Sequence, residues 1–219
     1  MNGVNRPLKT KHIPRATIER LATYVQVLES LKAEGVEVIS SNPLAEACDV
    51  NGSQVRKDLA YFGEFGIRGV GYQVQMLIAS IKEALSVNRE WRMALVGVGN
   101  LGTALINHTE FRARGFNITA VFDCNPFKIG KIVCGLEVYC TKQMKEIVEQ
   151  HGIEVGIITT PPERAQRAAQ HLVDAGITSI LNFAASRIKV PSNVQVEYVD
   201  FFHQFYMLAF KASQSSMYR

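Results

Sequence analysis

Residues 93–102 read MALVGVGNLG, an apolar run that stops at Gly97 and opens into the pattern Gly-x-Gly-x-x-Gly, closing on Gly102. Such a run followed by such a turn predicts a strand, a tight loop and the first turn of a helix. Gly97 makes the turn, Gly99 lets a pyrophosphate approach the backbone, and Gly102 lets helix and strand pack closely; Val98, Asn100 and Leu101 fill the places between. A second apolar run, ITAVF, then delivers Asp123, twenty-one positions beyond Gly102, where a dinucleotide fold needs a carboxylate for the ribose hydroxyls. That carboxylate repels a 2′-phosphate, and no arginine follows it before Lys128. The expected cofactor is therefore NADH or NAD⁺, not its phosphorylated relative.

Downstream of this turn, short apolar runs alternate with helical stretches: after MALVGV and ITAVFD come VGIIT, SILNF and VQVEYV. This β-α-β-α order predicts an α/β domain with a doubly wound parallel sheet of Rossmann type. Strand ends at its carboxyl edge bring Thr160, Pro161, Asn182 and Phe183 forward as candidates to flank the nicotinamide half, with ordinary loop chemistry as the alternative.

Upstream the period changes. Ile18, Leu21, Val25, Leu28 and Leu31 recur every three or four positions, one helical stripe from about residue 16 to 34 that Gly35 can end. After the short β-branched segment 36–39, Ser41 or Asn42 can cap a second helix with Pro43 in its first turn. A compact turn, residues 49–52, leads into SQVRKDLAYFG, where Val55, Leu59 and Phe62 anchor one face and Gln54, Lys57 and Tyr61 share the other. A helix-turn-helix with an outward amide, cation and phenol specifies a recognition helix for a major groove, with Ser53 and Arg56 beside them. The following GEFGIRGVGY, residues 63–72, reads as a glycine-rich hairpin, or wing, carrying Arg68 toward a minor groove. A stripe at Val74, Leu77, Ile78, Ile81 and Leu85 predicts one more helix before a boundary near residues 86–90. Before Glu19 the charged residues are Arg6, Lys9, Lys11 and Arg15, a purely basic arm.

With 219 residues, 47% of them hydrophobic, the chain can bury one large core or two small ones. A net charge of +4 makes no bulk case for nucleic acid, so that case rests on where the charges lie. The four cysteines form no CxxC pair and the five histidines no close ligand pair, so no metal is expected. No apolar stretch reaches the roughly 18 residues that span a bilayer, and no leader pattern precedes it. A cytoplasmic protein with reduced thiols and no membrane partner is expected.

The runs SQVRKDLAYFGEFGIRGVGY, ALVGVGNLG, VFDCNP, ITTPPERAQ, ILNFAA and VDFFHQFYMLAFKA together resemble the Rex family of redox-sensing transcriptional repressors, from about Ile18 to Lys211. The resemblance implies a homodimer that holds a palindromic operator when NADH/NAD⁺ is low and releases it when NADH rises. It implies a C-terminal helix exchanged with the other subunit, Phe201 close to the partner's nicotinamide, and Asp200 in the switch between cofactor and DNA units. It divides the chain into a winged-helix domain (1–88), a nucleotide domain (89–199) and the exchanged helix (200–219). Two positions depart from the family pattern: Gln26 where members often have Arg, and His108 where they often have Tyr, both expected to exchange contacts with Asp200.

Two other functions fit parts of the sequence. An NAD-dependent oxidoreductase shares the glycine motif, but about 36 residues follow Phe183 and they offer only His203 as a base, so no catalytic residue is expected. A CoA- or nucleotide-binding regulatory module could use the same sheet, although Asp123 suits a free adenosine ribose better than a phosphorylated one.

Overall fold

The computed structural model describes residues 13–63 and 70–216, in two compact units, residues 1–89 and 90–219. In the first, α1 (Arg15–Ala33) is followed by β1 (Val38–Ile39), α2 (Ser41–Ala47), α3 (Gly52–Leu59), β2 (Tyr72–Gln73) and α4 (Val74–Ala84). Its core joins Leu21, Tyr24, Val25 and Leu28 of α1 to Leu44, Val55, Leu59, Leu77, Ile78 and Ile81. Burying side chains of this size contributes about 1.5–3 kcal/mol each, the main force holding four short helices together.

Several expectations need correction here. Ile18 is 45% exposed, and the buried stripe of α1 is Thr17, Leu21, Tyr24, Val25 and Leu28. The helix is rotated because Thr17 and Tyr24 both reach a buried carboxylate on α3. Ser40, not Ser41 or Asn42, is the N-cap of α2. α3 ends at Leu59, so Tyr61 and Phe62 lie in the turn after it and Tyr61 does not extend the helix face. The expected wing, with Arg68, falls mostly on residues 64–69, outside the described residues; the strand leaving it, β2, pairs antiparallel with β1, Ile39 opposite Tyr72. Gly71 allows that approach: at φ +114°, a Cβ there would stand 2.6 Å from the Ile39 carbonyl oxygen.

The second unit runs β3 (Trp91–Val96), α5 (Asn100–Ile106), α6 (Thr109–Ala113), β4 (Phe116–Asp123), β5 (Ile132–Val133), β6 (Leu136–Cys140), α7 (Met144–His151), β7 (Val155–Ile158), α8 (Pro162–Asp174), β8 (Ser179–Asn182), β9 (Gln195–Tyr198) and α9 (Phe201–Ser216). The described sheet has the order β5-β6-β4-β3-β7-β8-β9, parallel throughout except for the β5–β6 hairpin. Numbered along the chain, its parallel strands stand 3-2-1-4-5-6, the doubly wound dinucleotide order, and the switch point falls between β3 and β7. The five expected strands correspond to β3, β4, β7, β8 and β9; β5 and β6 were not expected. Val96, Phe122, Ile158, Ala165 and Leu172 pack one face of the sheet; Leu95, Val98, Val121, Val138 and Ile157 pack the other. Both faces are covered, as a parallel sheet requires.

α9 leaves Phe201, Phe202, Phe205, Tyr206, Met207, Leu208 and Phe210 exposed. Among the described residues no helix is long and apolar enough to cross a membrane.

Candidate functional site

The turn between β3 and α5 sits beside the switch point, and its three glycines are glycine for three different reasons. Gly97 has φ +105°, and a Cβ on it would lie 2.9 Å from the Thr160 backbone nitrogen. A Cβ on Gly102 would run into the Gly97 carbonyl oxygen and come within 3.1 Å of Leu95 Cδ2, so the first turn of α5 touches the strand. Gly99, the N-cap of α5, has φ −93° and ψ −164°, and a Cβ there would meet nothing within 4 Å. No packing or backbone strain inside the protein requires glycine at that position. Asn100 is exposed beside it, Leu101 is half-buried, and Val98 is buried.

Asp123 ends β4 and is buried. Its Oδ2 accepts a hydrogen bond from the Val98 amide (3.0 Å) and its Oδ1 from the Asn125 amide (2.9 Å), so the carboxylate fixes the glycine turn. Lys128 was not singled out by the sequence. Its Nζ donates to the Val98 carbonyl oxygen (2.6 Å) and lies 3.3 Å from Asp123 Oδ2. A cation five residues beyond the carboxylate thus ties both loop ends together and offsets part of its charge.

The β7–α8 turn packs against the glycine turn. Thr159 Oγ1 donates to the Gly97 carbonyl oxygen (2.7 Å) and braces the loop. Thr160 Oγ1 is buried without a hydrogen-bond partner, and Pro161 caps α8. An orphaned buried hydroxyl packed on the glycine turn at Gly97 fits a polar ligand that supplies the missing partner, since such a group left alone costs about 1–3 kcal/mol. Asn182 is fully buried; its Oδ1 accepts from the Ala184 amide and its Nδ2 donates to the Ser186 carbonyl oxygen, so it folds its own loop. Phe183 is half-buried against the sheet face of Leu95, Val98 and Ile157.

Phe201 is exposed at the start of α9, and Asp200 caps that helix by accepting from the amides of Phe202 (3.0 Å) and His203 (3.1 Å). His108 is exposed and stacks on Phe111, ring centroids 4.8 Å apart. It lines a cavity of about 640 Å³ with Arg112, Phe116, Thr119 and His151, at the amino ends of β3 and β4 and so away from the glycine turn.

In the first unit Asn51 caps α3, accepting from the Gln54 amide (2.8 Å) and the Ser53 hydroxyl (2.6 Å). Ser53, Arg56 and Lys57 are exposed along α3, Tyr61 is exposed in the turn beyond it, and Gln26 is exposed on α1. Gln54 is half-buried, because it turns toward Asp58. Sequence reasoning missed Asp58. It is fully buried and accepts from Arg20 Nε (2.6 Å) and Nη2 (2.7 Å), the Tyr24 hydroxyl (2.9 Å), Gln54 Nε2 (3.0 Å) and the Thr17 hydroxyl (3.2 Å). Burial pushes this carboxyl up, but the hydrogen bonds from Arg20, Gln54 and Tyr24 and the Arg20 charge hold it below the ordinary carboxylate value. Burial, with the bond to Asp58, raises the Tyr24 phenol.

Comparison with known proteins matches residues 12–60 to a family described as "Putative DNA-binding protein N-terminus" and residues 88–186 to one described as "CoA binding domain". The chain is 66% identical over 206 residues to the redox-sensing transcriptional repressor Rex of Maridesulfovibrio salexigens, covering 94% of this chain and 99% of that one. It also superposes on the crystal structure of RSP in complex with beta-NAD+ and operator DNA, with a TM-score of 0.88 at 33% identity over 95% of this chain and 96% of that one. The structure of RSP in complex with beta-NADH gives 0.86 at 32% identity, over 95% and 98%. With a helix-turn-helix before a 3-2-1-4-5-6 nucleotide sheet, and relatives alike along nearly its whole length, the chain belongs to the Rex family of redox-sensing transcriptional repressors.

Proposed function

We propose that this chain is an NADH-responsive repressor: it binds a palindromic operator as a homodimer when NADH/NAD⁺ is low and releases it when NADH binds. It is not an enzyme. The observation that carries the reading is Gly99, a glycine that neither packing nor backbone angle requires, set at the start of α5 next to Val98, whose amide a buried carboxylate holds. The Gly97–Gly102 turn would hold the pyrophosphate, Asp123 the adenosine ribose, and Thr160, Pro161 and Phe183 the nicotinamide half. Bound there, the cofactor supplies a signal that depends on its oxidation state, and no hydride need move.

Residues 1–88 carry the DNA contacts, through Ser53, Gln54, Arg56, Lys57 and Tyr61 and, outside the described residues, Arg68. Residues 89–199 carry the nucleotide, and 200–219 form an arm exchanged between two copies. The exposed aromatic face of α9 supports that exchange, because seven large apolar side chains in water call for a second packing surface. Phe201 then approaches the partner's nicotinamide, and Asp200, with Gln26 and His108, belongs to the coupling of the two units. A DNA-binding protein of this kind works in the cytoplasm.

Release requires that NADH bind the DNA-incompetent conformation more tightly than the competent one; equal affinity for both would shift nothing. The test is a titration of labelled operator with the full chain, in parallel with NAD⁺ and with NADH. Release by NADH at concentrations where NAD⁺ leaves the complex intact is expected, and equal response to both refutes the proposal. Oxidation of NADH in the absence of DNA would instead favour an oxidoreductase.

A further inference from the structure

Gln54 and Asp58 are one turn apart on α3, and the hydrogen bond between them has a direction that chemistry fixes. Asp58 is ionised and can only accept. The group of Gln54 that meets it at 3.0 Å is therefore the amide nitrogen Nε2, and the amide cannot turn over without setting its oxygen against a carboxylate. Asp58 cannot swing away to relieve this. It is held by Arg20 through two bonds, by Tyr24 and by Thr17, all on α1. Oε1 is consequently the uncommitted acceptor of Gln54, with no protein donor among the described residues, and Ser53 and Lys57 on the same helix are exposed.

We propose that Gln54 reads an adenine in the operator half-site and that Asp58 is its positioning residue. The proposal rests on the reading of α3 as the recognition helix. In the major groove adenine offers the N6 amino group as donor and N7 as acceptor, which match Oε1 and the amide hydrogen that Asp58 leaves free. Guanine offers two acceptors, O6 and N7, and leaves Oε1 facing an oxygen. Cytosine gives one donor and no adjoining acceptor. Without Asp58 both hydrogens of Nε2 could turn to the O6 and N7 acceptors of guanine; with Asp58 one of them is taken and Gln54 is left with one donor and one acceptor, the adenine pattern.

The test uses the full chain and an operator that the wild-type protein selects from random duplexes. Each adenine of the half-site is replaced in turn by purine, which lacks only the N6 amino group, and binding is measured for wild type, Gln54→Leu and Asp58→Asn. At one adenine per half-site, the loss of N6 should weaken wild type about tenfold and Gln54→Leu hardly at all. Asp58→Asn, whose amide can donate as well as accept, should lower the preference for adenine over guanine at that same position and leave the other positions unchanged. A merely structural role for Asp58 would lower affinity for all duplexes alike and so overturn the proposal. It is also overturned, with the recognition-helix reading intact, if Gln54→Leu keeps the wild-type penalty at every adenine. Gln54→Leu alters a half-buried surface position, so this arm stands even if Asp58→Asn fails to fold. Failure of wild type to select any duplex overturns both the recognition helix and the inference built on it.

Discussion

Gly99 and Gly102 stand three residues apart in one motif, and alanine should be tolerated at the first and destabilise at the second. At Gly102 the added methyl meets the Gly97 carbonyl oxygen, with Thr159 Oγ1 at 3.0 Å and Leu95 Cδ2 at 3.1 Å, and two of the three obstacles belong to the braced loop and the strand core. Overpacking of this kind costs about 1–3 kcal/mol, against which alanine's advantage in a helix recovers about 0.5–1. At Gly99 the methyl enters open space from an extended backbone that alanine adopts freely, so the gain of about 0.4–1 kcal/mol from reduced unfolded-state freedom is offset by alanine's poorer N-capping, and stability should stay near wild type. For NADH the two substitutions should agree: Gly99→Ala sets its methyl where the pyrophosphate must lie, and Gly102→Ala displaces the loop. We expect binding at least tenfold weaker in both, about 1.4 kcal/mol. Thermal unfolding followed by tryptophan fluorescence is suited to this, because the single tryptophan, Trp91, begins β3 of the nucleotide unit. Gly99→Ala with a melting temperature near wild type and lost NADH binding is the expected pair. Undiminished NADH affinity in Gly99→Ala would refute the argument, since the one glycine the protein does not need would then have no ligand to explain it.

Other outcomes follow from the same structure. Lys57→Ala, on the exposed side of α3, should weaken operator binding by about 1–3 kcal/mol if it pairs with a guanine, and leave NADH binding unchanged in a fluorescence titration. Removal of residues 200–219 should yield a monomer or an aggregate by light scattering, because the proposed exchange would lose the arm that carries it; a stable, NADH-responsive dimer of residues 1–199 would contradict the exchanged arm. Asp58, held below its unfolded value of about 3.9, stabilises the first unit fully above that pH, and the contribution is lost as pH falls through the lower folded value. Circular dichroism melts on acidification below about pH 4 should therefore show a loss of stability that Asp58→Asn removes.

The parallel sheet was legible because its central strands are buried on both faces, and such strands read as unbroken apolar runs: Met93 to Val96, Val121 to Phe122, Ile157 to Ile158. The β5–β6 hairpin was not. Its two-residue turn is Cys134 (φ +52°) and Gly135 (φ +82°), a pair of positive angles that usually announces itself as Asn-Gly or Asp-Gly, and a cysteine hides the signal. The strand that follows it, Leu136–Cys140, buries only Val138, so neither alternation nor an apolar run marked it. The same reasoning explains α1: Ile18 fits the period as well as Thr17 does, and what turned the helix was a polar partner on another helix.

That partner shows where reading by residue type fails. Asp58 lies in a helix rich in polar residues, and charge alone places it in water; what buries it is Arg20, thirty-eight positions away, with Tyr24 and Thr17. A buried carboxylate with a complete set of donors holds two helices in one register, and removing one partner of such a pair costs about 3–5 kcal/mol. Lys128 was overlooked for the related reason that a surface lysine in a loop carries no periodic signal, although its ammonium closes the ring from Val98 to Asp123. The glycines, by contrast, were legible as a motif but not as individuals. Gly97 and Gly102 answer to the chain's own backbone, and Gly99 answers to nothing in it. A residue that the protein's packing and conformation leave unexplained is where the chemistry of a ligand has to enter the account, and here that position lies at the carboxyl edge of β3, beside the switch point of the sheet.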